Sequence, residues 1–427
     1  MPPIVAVKGT HDVLPPQSAA WEWLHRVHDG VTGGCGYQLV EVPILELTEL
    51  FERAVGAGTD IVDKQMFSFT DRGGRSLALR PEGTAGVLRA CLGAALTQQV
   101  HPLRVHYRGP MFRAENPQKG RYRQFHQVGV ECLGDLSPDL DAEVVEMGWA
   151  FLRGLGIGDA TVQLNSLGDR DDRVRYRQAL VDYYTPLRDQ LCDDCRRRLE
   201  INPLRLLDCR RDAALAQAAP LITDSLSGPS AEFFAAVRRR LEEADVPVVL
   251  NPRLVRGLDY YAHTTFEYWH SSLQGAQNAL GGGGRYDGLA EELGFAPTPG
   301  IGYAFGVERL LLLATELGSA PTAVSAADAV VCSVEEEQAG AAAALGRTLR
   351  AAGLRVVVDS LPRKLDRKLR AADRLGAAAC LIVGPDEVRD GSVQVRDLRG
   401  RSQRAVPAAG AAAAVGALLD AAAVTIR

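Results

Sequence analysis

A run of basic residues lies in a segment whose pattern is typical of a long β-hairpin. Two strand-like stretches flank the polar loop AENPQKG, which contains Pro and Gly. Between residues 104 and 123 the single acid is Glu115, and the basic residues are Arg104, Arg108, Arg113, Lys119, Arg121 and Arg123. An arginine on a strand presents a planar fork to phosphate oxygens, and basic loop residues can follow a nucleic-acid backbone. The composition favours an anion-binding surface, with a solvated hairpin face as the alternative.

Glycines mark two further segments. Gly300, Gly302 and Gly306 lie in GIGYAFGVERL, where a strand pattern runs into an apolar helix, and Arg309 falls in the first turn of that helix. Such glycines would let the backbone approach a flat ligand while Arg309 points at an anion, although close helix-to-strand packing explains them equally well. The second cluster, Gly281–Gly284, is predicted to be a flexible loop when it is considered alone.

Two segments carry side chains suited to a binding pocket. The first is RGLDYY with the strand after it, whose candidate residues are Arg256, Tyr260, Tyr261, Thr264, Thr265 and Glu267. Alternate residues of such a segment could share one face of a pocket. Buried core tyrosines are the alternative. In LRPEGT, Glu82 and Thr84 are expected on the same side of an extended segment. A carboxylate there could bind an ammonium group, and an exposed turn would look the same.

The chain has eight cysteines, three of which lie close together in the sequence. Cys192 and Cys195 form a Cys-x-x-Cys pair, and Cys209 follows. A structural zinc site requires four ligands, and neither another Cys nor a His follows closely after Cys209. We therefore predict reduced thiols and no metal, as is usual in the cytosol.

Composition excludes several classes of protein. With 427 residues, 46% hydrophobic and 24% charged, the chain can bury more than one core, which argues against disorder or a fibrous fold. The net charge of −5 does not suggest a nucleic-acid binder on total charge. The N-terminal residues lack the pattern of a signal peptide, and no apolar run reaches the ~20 residues of a membrane-spanning helix. We expect a cytoplasmic protein with no membrane partner.

The sequence pattern predicts three regions. Residues 1–320 read as an α+β body, in which a charged helical stretch, 169–230, interrupts a strand-rich pattern that later resumes. After a linker-like stretch, strands and helices alternate over residues 328–427 and end in a hairpin. This alternation predicts a separate α/β domain with a largely parallel sheet.

Taken together and in order, these motifs resemble the class II aminoacyl-tRNA synthetases and, within them, the histidyl-tRNA synthetases. The resemblance runs from KGTHDVLPP at the start to the final domain. GYQLVEVPILE, with Pro43, is similar to the dimer-forming first motif of the class, FRAE and its hairpin to the second, and GVERL to the third. LVRGLDYY and ALGGGGRYDG resemble the histidine-specific segments, which are more specific than the short class motifs.

The resemblance implies a fold, a reaction and partners. The fold would be an antiparallel sheet flanked by helices, with a helical insertion in the catalytic domain and a C-terminal α/β anticodon-binding domain. ATP, accompanied by Mg²⁺, would react with L-histidine to give histidyl-adenylate and pyrophosphate. Histidine tRNA would then accept the histidine and AMP would be released. A homodimer is implied by the first motif.

The resemblance also implies residue roles. Arg113 and Arg256 would hold the α-phosphate, Arg309 the γ-phosphate and Glu115 the adenine side, with Arg121 also on ATP. For histidine, the ammonium side comprises Glu82, Gly83, Thr84 and Gln127, and the ring side Glu131, Tyr261 and, nearby, Tyr260. Gln118, Lys119, Arg121 and Arg123 would reach the acceptor end of the tRNA. The basic helix predicted over residues 363–374 would face the anticodon, with a solvated helix face as the alternative.

Two alternatives share parts of this pattern. One is the non-catalytic synthetase-like subunit that activates ATP phosphoribosyltransferase, which typically lacks the RGLDYY arginine pattern and the anticodon domain. The other is a class II synthetase for proline or threonine, which would share the class motifs and a similar last domain. The histidine-specific segments argue against both.

Overall fold

The structure, a computed structural model, describes residues 3–56, 59, 61–117, 120–255, 260–273, 279–321 and 325–424. The chain divides into two compact units, Met1–Pro321 and Thr322–Arg427. Among the residues described, no helix is long and apolar enough to cross a membrane.

The first unit is built on a large sheet whose described strands run in the order β1-β5-β6-β11-β10-β9-β7-β8. The central pairings are antiparallel, and the edge pairs β1–β5 and β7–β8 are parallel. These strands are β1 (Gln38–Leu39), β5 (Leu103–Phe112), β6 (Gln124–Leu133), β7 (Thr161–Ser166), β8 (Val248–Leu250), β9 (Ala262–Trp269), β10 (Ala279–Arg285) and β11 (Gly300–Gly306). A smaller antiparallel sheet has the order β2-β4-β3, with β2 (Leu45–Leu47), β3 (Phe67–Thr70) and β4 (Ser76–Leu79).

Helices cover the large sheet, as expected for the predicted α+β class. They are α1 (Ser18–Gly34), α2 (Thr48–Val55), α3 (Thr84–Gly93), α4 (Leu96–Gln99), α5 (Pro138–Gly154), α6 (Arg170–Tyr184), α7 (Asp193–Ile201), α8 (Ala213–Ala218), α9 (Gly228–Glu243), α10 (Leu289–Glu292) and α11 (Val307–Glu316). Residues of α1, α5, α9 and α11 share one buried cluster with the sheet, and residues of α2, α3, α6 and α7 share another. The α+β prediction, an antiparallel sheet flanked by helices, is confirmed.

Alternation along β6 separates a core face from a polar face. Val128, Val130 and Cys132 belong to the first buried cluster. Since successive side chains on a strand point to opposite faces, Gln127 and Glu131 project from the other face. The strand thus joins a hydrophobic core on one side to polar side chains on the other.

The predicted hairpin is confirmed, but its arginines do not form one surface. β5 and β6 pair in register from Leu103 with Leu133 to Phe112 with Gln124. The Arg104 guanidinium lies 3.3 Å from Glu143 of α5, and that of Arg108 lies 2.8 Å from Asp29 of α1. Carboxylates on α5 and α1 neutralise these two cations, so Arg104 and Arg108 do not extend a basic surface along the hairpin. A charge count along the sequence could not show this.

The prediction of a flexible loop at Gly281–Gly284 is wrong. These glycines lie in β10, a central strand paired on both sides by β9 and β11. A β-carbon on Gly283 would lie 1.9 Å from the Gly302 carbonyl oxygen, and one on Gly284 would lie 2.6 Å from that of Thr264. Glycine is needed here for close approach of strands rather than for flexibility.

The second unit is a mixed α/β domain. Its strands run in the order β13-β12-β14-β15-β16. The elements are β12 (Ala329–Ser333), α12 (Ala339–Ala351), β13 (Val356–Asp359), α13 (Leu365–Arg374), β14 (Ala379–Val383), α14 (Pro385–Asp390), β15 (Ser392–Asp397), β16 (Gln403–Pro407) and α15 (Ala411–Val424). β13, β12 and β14 are parallel, whereas β15 and β16 add antiparallel pairs. The prediction of a largely parallel sheet is therefore wrong in detail, because the strands of the predicted hairpin extend the same sheet with antiparallel pairs.

The basic helix of this unit is shorter and less uniformly exposed than predicted. It begins at Leu365 rather than residue 363, and Arg363 forms an ion pair with Asp359 before it starts. Lys368 is buried, and its Nζ donates to the Ser333 carbonyl oxygen over 2.8 Å. The basic residues that remain exposed are Lys364, Arg367, Arg370 and Arg374.

Candidate active site

A cavity of about 420 Å³ lies on the polar face of the large sheet of the first unit. It gathers eleven of the charged, polar and aromatic residues singled out from the sequence and four of the glycines: Glu82, Thr84, Arg113, Glu115, Arg121, Gln127, Glu131, Tyr260, Tyr261, Glu267, Arg309, Gly281, Gly282, Gly302 and Gly306. Gly83 and Arg123 do not line it. Arg256, Gln118 and Lys119 lie outside the described residues. Segments far apart in the sequence therefore meet at one place.

Glu82 stands at the start of a helix, so the predicted extended segment is wrong. Gly83 has helical dihedral angles and α3 begins at Thr84. The Glu82 carboxylate accepts hydrogen bonds from the backbone N–H groups of Thr84, at 2.7 Å, and Ala85, at 2.8 Å. It satisfies amides that an α-helix leaves free in its first turn. Burial raises the pKa of this carboxyl group.

Gly83 supports the cavity although it does not line it. A β-carbon at this position would lie 2.2 Å from the ring of Tyr107, which does line the cavity. Glycine is therefore required so that the Tyr107 ring can pack beneath the turn that carries Glu82.

Glu131 is a second buried carboxyl group. Its oxygens accept hydrogen bonds from the hydroxyl groups of Thr84, at 2.7 Å, and Tyr286. Burial raises its pKa to about 8, against hydrogen bonds from Tyr286 and Thr84 that act in the opposite direction. A β-carbon on Gly302 would lie 1.9 Å from its Oε2 atom, so glycine at this position of β11 leaves the space that this carboxyl group occupies. At neutral pH burial therefore favours the protonated form of Glu131.

The high pKa of Glu131 has a measurable effect on stability. In the folded chain the group holds its proton up to about pH 8, whereas in the unfolded chain it releases it near 4.5. Between these values the folded state binds more protons, so Glu131 makes the free energy of unfolding fall as pH rises, by up to about 1.4 kcal/mol per pH unit. We expect Glu131→Gln to remove this contribution. Unfolding of both proteins measured between about pH 5 and 8 tests the difference in slope; parallel slopes would contradict the assignment.

Aromatic rings and an amide complete this end of the cavity. The rings of Tyr260 and Tyr261 lie 4.7 Å apart between centroids, and that of Tyr286 lies 5.8 Å from Tyr260. The Oε1 atom of Gln127 is buried and has no hydrogen-bond partner among the residues described. Such an acceptor at a cavity wall is suited to a ligand that brings an N–H donor.

The other end, called the cationic end below, holds Arg113, Arg121 and Arg309, with Glu115 and Glu267 close to them. Arg113 lies over the ring of Phe125, 5.1 Å from its centroid, and its Nε donates to the Pro81 carbonyl oxygen over 3.0 Å. Arg309, in the first turn of α11, donates to the Ala279 carbonyl oxygen. Burial and the nearby Arg121 cation lower the pKa of Arg309. Fixed guanidinium groups that repel one another in a partly buried space favour an anionic ligand.

Some lining residues were not selected from the sequence, although a signal was present for several of them. Phe125 lies two residues before Gln127 on β6, so strand alternation would have placed both on one face. Tyr286 belongs to the ALGGGGRYDG segment, whose glycines were read as a loop. Glu308 accepts hydrogen bonds from the backbone N–H and from the ring Nδ1 of His126, both over 2.9 Å. These two residues are far apart in the sequence and meet only through the fold.

The sequence is similar to known proteins over most of its length. A family model described as histidyl-tRNA synthetase matches residues 9–168 and 202–310, and one described as an anticodon binding domain matches residues 328–418. The chain is 46% identical to a histidine–tRNA ligase from Picosynechococcus over 94% of both chains. It is 44% identical to one from Synechocystis, over 94% of this chain and 89% of the relative.

A solved structure is similar as well. The apo histidyl-tRNA synthetase of S. aureus superimposes with a TM-score of 0.82 at 33% identity, covering 96% of this chain and 99% of that one. With the family model matching more than half of the sequence, the chain belongs to the histidyl-tRNA synthetase family.

Proposed function

We propose that this cavity is where the chain, as a histidine–tRNA ligase, forms histidyl-adenylate from L-histidine and ATP before it transfers histidine to tRNA. The observation that carries the proposal is the polarity of one continuous cavity. Buried carboxyl groups and tyrosines occupy one end, and three arginines occupy the other. An amino acid with a basic ring and a triphosphate fit these two ends, with their reacting carboxylate and α-phosphate between them.

The cationic end is assigned to MgATP. Arg113 would hold the α-phosphate, with Glu115 beside the adenine and Arg121 and Arg309 along the triphosphate, Arg309 on the γ-phosphate. Attack by the histidine carboxylate joins two anions, so negative charge grows on the phosphate oxygens in the transition state. Guanidinium groups already fixed by Pro81 and Ala279 stabilise that charge without reorganising. Arg256 is assigned to the same α-phosphate from the sequence motif alone.

The acidic end is assigned to histidine. Glu82, Thr84 and Gln127 would receive the α-ammonium group, since Glu82 has oxygen lone pairs beyond its two backbone bonds and the Gln127 oxygen lacks a donor. Glu131 would accept an imidazole N–H, and Tyr261 with Tyr260 would bound the ring. A site that hydrogen-bonds the ring leaves buried groups unsatisfied when another amino acid enters, so it discriminates without editing.

The division of the chain follows from these roles. Residues 1–320 would form the catalytic domain, 169–230 its helical insertion and 328–427 the anticodon-binding domain. Hairpin residues Gln118, Lys119, Arg121 and Arg123 would contact the acceptor end of the tRNA. We place the reaction in the cytoplasm, with no membrane partner.

A homodimer is part of the proposal. Leu39, Ile44 and Leu45, in the segment similar to the first class motif, are 46%, 40% and 47% exposed. Large apolar side chains grouped on a surface favour burial against another chain, here a second copy.

The exposed face of α13 gives a test of tRNA binding. We expect replacement of Arg367 and Arg370 by Ala to raise the KM for tRNA and to make the dependence of log affinity on log salt shallower by about 1 per lost phosphate contact. Pyrophosphate exchange without tRNA should not change. Arg389→Ala, on exposed α14, is the matched control because Arg389 is already paired with Asp386 and Asp390. An unchanged salt dependence in the double variant would remove α13 from the tRNA surface.

The proposed function as a whole is tested by charging. Purified protein, MgATP and bulk tRNA are incubated with histidine, proline or threonine, and aminoacyl-tRNA is measured. We expect charging with histidine alone. Charging with proline or threonine would overturn the assignment of the acidic end.

A further inference from the structure

Four potential metal ligands meet in the helical region around α7 and α8, apart from the residues that line the cavity. They are Cys192, Cys195, Cys209 and Asp212, and their ligand atoms all lie within 4.8 Å of one another. Cys195 is buried and the other three are half-buried. Three thiols and a carboxylate that converge in this way provide four ligands of the types that bind zinc in proteins.

The distances correspond to a tetrahedral ion rather than to a disulfide. The sulfur atoms of Cys192 and Cys209 are 3.8 Å apart. Two thiolates bound to zinc at about 2.3 Å with tetrahedral angles stand about 3.8 Å apart, whereas bonded sulfur atoms stand about 2.05 Å apart. The two side chains therefore already have the separation of adjacent ligands.

The spacing in the sequence also fits. Cys192 and Cys195 are separated by two residues, and so are Cys209 and Asp212. Two such pairs joined by a longer segment are typical of structural zinc sites. The sequence predicted no metal because no Cys or His lies close after Cys209. Asp212 occupies the fourth place, and aspartate oxygen is an established zinc ligand.

The backbone supports the same arrangement. Cys192 immediately precedes α7, and Asp212 immediately precedes α8. The Cys192 N–H donates to Asp212 Oδ2 over 3.1 Å. A hydrogen bond to a ligating carboxylate fixes the orientation of that carboxylate.

We propose that Cys192, Cys195, Cys209 and Asp212 bind one Zn²⁺ ion per chain. All four positions of a tetrahedron are taken by protein, which makes the site structural rather than catalytic. Sulfur ligands select zinc over magnesium or calcium, which prefer oxygen alone.

The ion and Arg253 together would tie the inserted helices to the segment that leads to RGLDYY. The Arg253 guanidinium donates to the carbonyl oxygens of Ala216, at 2.5 Å, and Ala219, at 3.1 Å, at the end of α8. Asp212 immediately precedes that helix, so the metal and Arg253 would hold its two ends. Loss of zinc should therefore destabilise the first unit.

Metal content of the full-length chain tests the proposal. The protein is expressed with added zinc, dialysed, and measured by plasma mass spectrometry, and Co²⁺ is titrated into metal-free protein. We expect one zinc per chain, and a cobalt spectrum with tetrahedral d–d bands and a thiolate-to-cobalt charge-transfer band. Cys209→Ser should lose the metal. Asp212→Ala should weaken it by more than the roughly 10- to 100-fold caused by losing an outer hydrogen-bond partner.

The matched control is Cys35→Ser, because Cys35 is an exposed free thiol outside the cluster. It should keep one zinc per chain. If Cys209→Ser does not fold, the cobalt titration of the unaltered chain decides. An octahedral spectrum, zinc at trace level, equal zinc in Cys209→Ser, or a Cys192–Cys209 disulfide under non-reducing mass spectrometry would each overturn the proposal.

Discussion

Arg113→Ala is expected to lower kcat for histidine-dependent pyrophosphate exchange by about 100- to 1,000-fold, the cost of removing one fixed donor to a growing oxyanion. Arg113 lines the cavity, is oriented by the Pro81 carbonyl oxygen and lies over Phe125. It is therefore already positioned before the substrate arrives. Because its main effect is on the transition state, the KM for ATP should change much less than kcat.

Arg108→Ala is the control for this experiment. Arg108 lies on the same hairpin, but its guanidinium is paired with Asp29 of α1. Its loss should leave the exchange rate within a few-fold of the unaltered chain, although stability falls slightly. An equal fall in exchange rate in the two variants would show that the rate depends on the integrity of the hairpin and not on the position of Arg113.

Glu131→Ala is expected to lower kcat/KM for histidine by up to about 100-fold, since leaving a buried hydrogen-bonding group of the ligand without its partner costs about 1–3 kcal/mol. The change falls mainly on histidine, because Glu131 lies at the acidic end with Thr84 and Tyr286. The KM for ATP should stay close to its original value. Exchange kinetics with each substrate varied in turn measure both quantities.

Glu143→Ala provides the comparison for this second prediction. Glu143 is a glutamate of α5 paired with Arg104, outside the cavity. Its variant should bind both substrates normally. If Glu131→Ala raises the KM for ATP as much as that for histidine, the division of the cavity into two ends is incorrect.

Several features of the site followed from local sequence patterns. The hairpin was predictable because two strand-like runs flank a Pro- and Gly-containing loop, and its register places Arg113 just beyond the end of β5. Arg309 was predictable in the first turn of α11, since a glycine-rich strand leads into an apolar helix. Whole motifs in a fixed order carried the family resemblance, which the comparisons bear out.

Other features depend on contacts between distant segments. Gly281–Gly284 could not be told from a loop, because the carbonyl oxygens that exclude a β-carbon come from β9 and β11. The inward position of Lys368 depends on Ser333 of a neighbouring strand. Asp212 was missed because it is an ordinary acid in a charged stretch until folding brings it to three cysteines.

Exchange of labelled pyrophosphate into ATP, run without tRNA and with one amino acid at a time, tests the central claim most directly. It isolates adenylate formation, the step assigned to the cavity between the carboxyl groups and the arginines. We predict exchange with histidine and none with proline, threonine or no amino acid. Exchange driven by another amino acid, or none with histidine, as a non-catalytic synthetase-like subunit would give, would contradict the account.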